Sequence, residues 1–124
     1  MTRDELVTAY IDFLKTALGL VAKARREGIL GLDSDVDREK AAQRDIFHYG
    51  LQFAVDGTAP ELTDQILTNI IEQEKDELTA KLKTIQKRAV LAIAEGLGPE
   101  IVRYILNSYT DLTIEEEDTL SGKE

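Results

Sequence analysis

The feature that most constrains this chain is a short sequence that occurs twice. Residues 51–67, LQFAVDGTAPELTDQIL, are matched 39 residues later by residues 90–106, VLAIAEGLGPEIVRYIL. Gly, Pro, Glu, Ile and Leu recur at five fixed positions of the two copies. Two copies favour an internal repeat but are too few to predict a solenoid.

Each copy is typical of one helix ending and another beginning. The glycine follows an apolar helical face, and we expect it to take the left-handed conformation just past a helix C-terminus. The proline suits the first position of the next helix, where the helix dipole favours the glutamate. In the first copy either Thr58 or Ala59 is the N-cap. The six predicted turn residues are Gly57, Pro60, Glu61, Gly96, Pro99 and Glu100.

Composition excludes several kinds of chemistry. The chain has 124 residues, no cysteine, one histidine and a net charge of −9. The acidic balance argues against nucleic acid and anionic membranes as partners. We find no nucleophile–base pair, metal-ligand cluster or phosphate loop, so we predict a protein that is not an enzyme and has no metal or cofactor. No apolar run approaches a membrane helix, and residues 1–5 lack a signal-peptide core, so we expect a soluble cytoplasmic protein.

Apolar periodicity predicts an all-α fold of about five helices, two of them long, in a single domain over residues 1–112. No proline or glycine interrupts residues 61–95, which allows one helix of 36 residues from Pro60. The acidic residues 113–124 are expected to be disordered. The predicted helices cover residues 3–27, 41–56, 60–95 and 99 to about 112, with the connection after residue 27 less regular.

The apolar stripe of the long predicted helix changes character along its length. Its first part is dense and is expected to be buried, and it comprises Leu62, Ile66, Leu67, Ile70 and Ile71. Leu78, Leu82 and Ile85 then form a narrower stripe, which resembles a coiled-coil seam. This second stripe either packs against the first helix of the same chain or forms a homodimer seam.

Lys23, Arg25 and Arg26 form a basic cluster in an otherwise acidic chain. Cations near a helix C-terminus complement its dipole, which is a purely structural interpretation. The other interpretation is a surface that binds an acidic partner. The aspartates of residues 33–37 alternate as in calcium loops, but the required glycine and glutamate are missing, so we reject an EF-hand. A lone histidine, His48, has no neighbour placed by sequence to activate it.

Two stretches resemble one known family. Residues 21–33, VAKARREGILGLD, and residues 50–67, GLQFAVDGTAPELTDQIL, are similar to the large cytoplasmic loop of MotA, the stator protein of the bacterial flagellar motor. The likeness to this MotA/TolQ/ExbB proton channel family spans roughly residues 14–74. Residues 81–109 resemble the family's C-terminal cytoplasmic tail. The family's four membrane helices have no counterpart here, so the resemblance does not imply ion conduction.

The resemblance implies a non-enzymatic interaction module related to bacterial motility and chemotaxis. In the family a loop arginine and a loop acid engage opposite charges on the rotor protein FliG, and these positions correspond to Arg25 and Asp33. The expected partner is therefore FliG or a stator component, bound through Lys23, Arg25, Arg26 and Asp33. The alternative is a soluble regulator or assembly factor that acts through helix–helix packing and is unrelated to torque. A helix–turn–helix DNA-binding role is rejected because Asp64 and Gln65 follow the first corner, with no basic recognition surface.

Overall fold

The structure is a computed structural model that describes residues 1–122. The predicted all-α class is confirmed, whereas five helices is an undercount: the described residues form seven α-helices and one 3-10 helix. The elements are α1 (Arg3–Glu27), a 3-10 helix (Ile29–Asp35), α2 (Arg38–Ala42), α3 (Ile46–Val55), α4 (Pro60–Ile71), α5 (Glu77–Glu95), α6 (Pro99–Asn107) and α7 (Ile114–Leu120).

Helix α1 has the predicted bounds. Thr2 and Glu5 form a reciprocal capping box, in which the Glu5 amide donates to Thr2 Oγ1 at 3.1 Å and the Thr2 amide donates to Glu5 Oε1 at 2.8 Å. Two amides at the helix start, otherwise without partners, are thereby satisfied. The buried face of this helix packs against α5, α6 and the 3-10 helix and forms one side of the core.

Two predicted helices are interrupted. The single helix over residues 60–95 is wrong, because it divides into α4 and α5 at residues 72–76. Asp76 is the N-cap of α5 and accepts a hydrogen bond from the Thr79 amide at 2.9 Å. The predicted helix over residues 41–56 is divided in the same way, because Asp45 caps α3 by accepting from the His48 amide at 3.1 Å. In both places an aspartate side chain starts a new helix at a point where neither a proline nor a glycine stands.

The predicted disorder of residues 113–124 is contradicted for most of that segment. Residues 114–120 form α7, which begins at a second capping box made by Thr113 and Glu116. Lys123 and Glu124 lie outside the described residues. The helix expected to reach about residue 112 ends at Asn107, whose side-chain amide donates to the Leu112 carbonyl at 3.1 Å and holds the turn into α7.

The two corners have the expected geometry. Gly57 and Gly96 have positive φ angles of 81° and 75°. The N-caps are Ala59 and Gly98, so the alternative with Thr58 as the cap is not realised, and each proline stands in the first turn of its helix. Glu61 and Glu100 also lie in first turns, as predicted.

Equivalent positions of the repeat in α4 and α6 also have similar burial. Leu67 and Leu106 are fully buried, whereas Leu62 is 54% exposed and Ile101 is 50% exposed. The expectation that the whole α4 stripe is buried is therefore wrong: apart from Leu67, its other members Ile66, Ile70 and Ile71 are only partly buried. Helix α4 packs chiefly on α3 and α5, and its opposite face meets solvent.

Gly50 allows α3 and α5 to approach closely. A Cβ atom built at this position would lie 2.8 Å from Leu67 Cδ1 and 3.1 Å from both methyl groups of Val90. Both neighbours are fully buried in a close-packed core, where side chains move at a cost. The α3–α5 contact therefore requires a residue without a side chain on α3.

We expect Gly50→Ala to lower the free energy of unfolding by about 1 kcal/mol, because overpacking outweighs the gain in helix propensity. Gly19→Ala is the matched control: it is also a helical position, but nothing lies within 4 Å of the added Cβ. That control is expected to stabilise the protein by about 0.5–1 kcal/mol. Urea unfolding of both variants is the measurement, and equal effects of the two changes would contradict the close approach.

Thr63 is buried on α4, and its hydroxyl has no hydrogen-bond partner among the described residues. The equivalent repeat position is Val102, which is also buried. Thr63→Val keeps the shape and removes the unsatisfied hydroxyl, so we expect stabilisation by about 1 kcal/mol. Thr68→Val is the control, since the Thr68 hydroxyl lies 3.2 Å from Asp64 Oδ1 and its loss should not stabilise the fold. Paired thermal and urea melts test this difference.

Candidate docking surface

The basic cluster occupies the end of α1, and the 3-10 helix folds back against that end. Lys23, Arg25 and Arg26 lie in its last two turns, and Asp33 lies on the 3-10 helix. Arg25, Arg26 and Asp33 are exposed, as predicted, whereas Lys23 is partly buried. The structure thus brings the four predicted residues to one end of the molecule.

Lys23 has an internal partner that sequence reasoning did not identify. Its Nζ donates to Asp35 Oδ2 at 2.8 Å, and this hydrogen bond raises the pKa of the lysine. The pair joins the end of α1 to the end of the 3-10 helix. The charge of Lys23 is therefore balanced by a carboxylate of the same chain.

Arg26 and Asp33 form ion pairs that are exposed to solvent. Arg26 lies 3.6 Å from the neighbouring Glu27 carboxylate, and Asp33 accepts from Arg38 at 2.5 Å. Ion pairs this exposed add little to stability, because water screens both charges. They are accordingly easy to exchange for a partner's charges.

Arg25 makes a different contact from its neighbours. Its Nη1 donates to the Gly96 carbonyl at 2.8 Å, so the side chain bridges α1 and the second corner. Within residues 1–122 no carboxylate lies within ion-pair distance of this guanidinium. Arg25 lies in the last turn of α1, as the structural interpretation expects. The carbonyl to which it donates, however, stands at the end of α5 rather than of α1.

A pocket of about 370 Å³ lies beside this bridge. Arg25 and the backbone at Gly96 supply its polar wall, and the remaining lining is apolar. That apolar lining comes from α1, the 3-10 helix and the second corner, and it comprises Val21, Ala24, Ile29, Ile93, Ala94 and Leu97. The arrangement places one cation at the edge of an apolar concavity.

A second charged cluster, centred on Glu117, is buried and was missed from the sequence. The Tyr10 hydroxyl and the Asn107 amide both donate to Glu117 Oε1, the latter at 3.1 Å, and Arg103 Nε donates to Oε2 at 2.7 Å. Burial, and then the hydrogen bond with the carboxylate, raise the pKa of Tyr10, so its hydroxyl stays protonated as a donor.

This cluster ties α7 to α1 and α6. Glu117 is fully buried, and its two oxygens accept three donors from two other helices. The sequence signal that indicates an ordered segment is the Thr113–Glu116 capping box, which predicts a helix in place of a tail. Nothing in the sequence identifies which of the following acids is buried.

The stripe proposed as a dimer seam lies largely inside the chain. Ile85 is fully buried and belongs to the same core cluster as Tyr10 of α1. Leu78 lines a small cavity with Leu6 and Val7 of α1. Leu78 and Leu82 are partly buried, and Ile85 is enclosed by this chain's own side chains. Packing within the chain accounts for Ile85, and a homodimer seam through the partly buried Leu78 and Leu82 stays a prediction.

The remaining candidates from the sequence are a metal site and His48. Across residues 1–122 no group of three or more acidic or histidine side chains is placed to hold a metal ion. His48 Nδ1 accepts a hydrogen bond from the Asp37 amide at 3.0 Å, which fixes the start of α2 to α3. No helix in the described part of the chain has both the length and the apolar character needed to cross a bilayer.

Comparison of this chain with protein-family models, with curated proteins and with solved structures gives no match.

We expect Glu117→Ala to lower the free energy of unfolding by about 3 kcal/mol, because it leaves Arg103 without its buried partner and the buried Tyr10 hydroxyl without an acceptor. Asp118→Ala is the control: it removes a partner of the same arginine, but one that is more exposed. Its effect should be well under half as large. Urea unfolding measures both, and similar losses would show that burial of Glu117 is not the deciding factor.

Proposed function

We propose that this chain is a non-enzymatic protein-interaction module, similar to the cytoplasmic part of a flagellar stator, that binds the rotor protein FliG in the cytoplasm. The observation that carries the proposal is Arg25, an exposed guanidinium with no carboxylate partner in the described residues. In a chain with a net charge of −9, such a cation is suited to a partner's acid.

Asp33 supplies the complementary half of the proposed contact. It is exposed, and its Arg38 partner is exposed as well, so a basic group of a partner protein can replace Arg38 at small cost. A surface with both signs of charge sets orientation and association rate more than affinity. Stator components are alternative partners for the same surface.

A second candidate function rests on the outer faces of α4 and α6. Leu62 and Ile101 occupy the same repeat position, and both are about half exposed. Tyr104, on the same helix as Ile101, is 58% exposed. These apolar side chains favour an assembly factor that binds another helical protein by packing, without a role in torque.

The deciding experiment is a titration of the protein against purified FliG at about 0.1 M and about 1 M salt, where the Debye length falls from about 10 Å to about 3 Å. Binding is expected at low salt and should weaken as salt rises. Arg25→Glu should weaken it by about tenfold, equivalent to about 1.4 kcal/mol. Asp33→Lys should have a smaller effect, because the aspartate side chain has a short reach.

Two control variants distinguish an effect of the Arg25 charge on binding from an effect on folding. Arg25→Gln removes the charge and loses only an exposed hydrogen bond to the Gly96 carbonyl, so it should weaken binding with little change in melting temperature. Lys15→Glu makes the same charge reversal about 15 Å away on α1 and should leave binding within about twofold. If FliG does not bind at low salt, or binds Arg25→Glu as well as the parent, the FliG assignment is wrong. A loss caused instead by Leu62→Glu would favour the packing function.

A further inference from the structure

We propose that the pocket between α1 and the second corner is a docking site for a partner segment that places one large apolar side chain next to a carboxylate. The inference rests on the proposed function only in taking this chain to be an interaction module. It adds the site, which is the pocket rather than a flat charged surface, and the chemistry of the segment that enters it.

The size and lining of the pocket suit an apolar side chain. A cavity of about 150 Å³ lined by aliphatic groups accepts a benzene molecule. The pocket here has about 370 Å³ and is open to solvent, which leaves room for one Leu, Ile or Phe side chain beside its polar wall. Leu30, next to Ile29 in the chain, is 72% exposed and provides further apolar surface at this end of the molecule.

Arg25 is the reason why we expect a carboxylate in the partner segment. A guanidinium has five N–H donors, and the one hydrogen bond of Arg25 within residues 1–122 is made by Nη1 to the Gly96 carbonyl. That bond holds the planar group at the edge of the pocket and leaves donors for a second acceptor. A planar guanidinium prefers a carboxylate, which it binds through two parallel hydrogen bonds.

The three cations at this end of the molecule differ in whether a carboxylate of the same chain lies next to them. Lys23 donates to Asp35 at 2.8 Å, and Arg26, whose exposed pair with Glu27 is easily exchanged, does not line the pocket. Arg25 is the member of the cluster without an acidic neighbour in the described structure, and it is also the member that lines the pocket. An apolar anchor beside an acid therefore satisfies both features of the site, as central anchors do in other interfaces.

The test is a selection of random peptides displayed on phage against the parent protein. Selected peptides are then measured by fluorescence anisotropy on purified variants. We expect the enriched sequences to share a Leu, Ile, Phe or Met within one to four residues of an Asp or Glu. Ala24→Leu fills the pocket from inside and should weaken these peptides by more than about tenfold.

The matched control is Ala22→Leu, which makes the same change on the same helix at a partly buried position that does not line the pocket. It should leave peptide affinity within about twofold. Arg25→Gln should weaken peptides with an acid and leave unchanged those in which the acid is replaced by an amide. If Ala24→Leu fails to fold, as judged by its melting curve, Ala94→Leu fills the same pocket from α5.

The inference is overturned if no peptide is enriched, if enriched peptides lack the acid, or if the filled pocket binds them as well as the parent does. Self-association of the parent that Ala24→Leu abolishes, seen by light scattering, also overturns it, because the occupant is then a second copy. The FliG titration is independent of this result. FliG binding that Ala24→Leu leaves intact refutes only the pocket, and peptide binding without FliG binding refutes only the rotor assignment.

Discussion

Helices α3 and α5 can pack as closely as they do because position 50 has no side chain. The space that a Cβ would take there is filled by Leu67 of α4 and Val90 of α5, so this glycine allows three helices to meet closely. Helix α1 then covers the same core, to which Tyr10, Leu14 and Val21 contribute from its buried face. Close packing of this kind leaves few alternative arrangements of the helices.

The parts of the fold that were predictable are those fixed by local backbone chemistry. Gly57, Gly96 and the two prolines mark their corners through conformations that other residues resist, and α1 follows from simple periodicity. The breaks at Asp45 and Asp76 were missed because an aspartate within a polar run is equally compatible with an exposed helical position. Only the tertiary fold decides between an N-cap and a surface residue.

The tertiary fold also decides which acid of the last helix is buried. Four acids stand in a row from Glu115 to Asp118, and the sequence treats them alike, but the position of Tyr10 and Arg103 selects Glu117 for burial. A buried carboxylate is stable only while all three of its donors are present, because a missing donor leaves its charge without compensation. This explains why an acidic segment expected to be disordered forms a helix on the surface of α1 and α6.

Arg25 has the opposite character, and this is why it carries the functional proposals. Its bond to the Gly96 carbonyl orients the guanidinium but does not neutralise it, because a carbonyl has no net charge. Lys23, two residues earlier, has its charge balanced by Asp35. A cation that is held in place yet not neutralised has already lost the side-chain entropy that binding would otherwise cost. The second corner thus does more than turn the chain: it presents Arg25 beside an apolar pocket that the same corner helps to form.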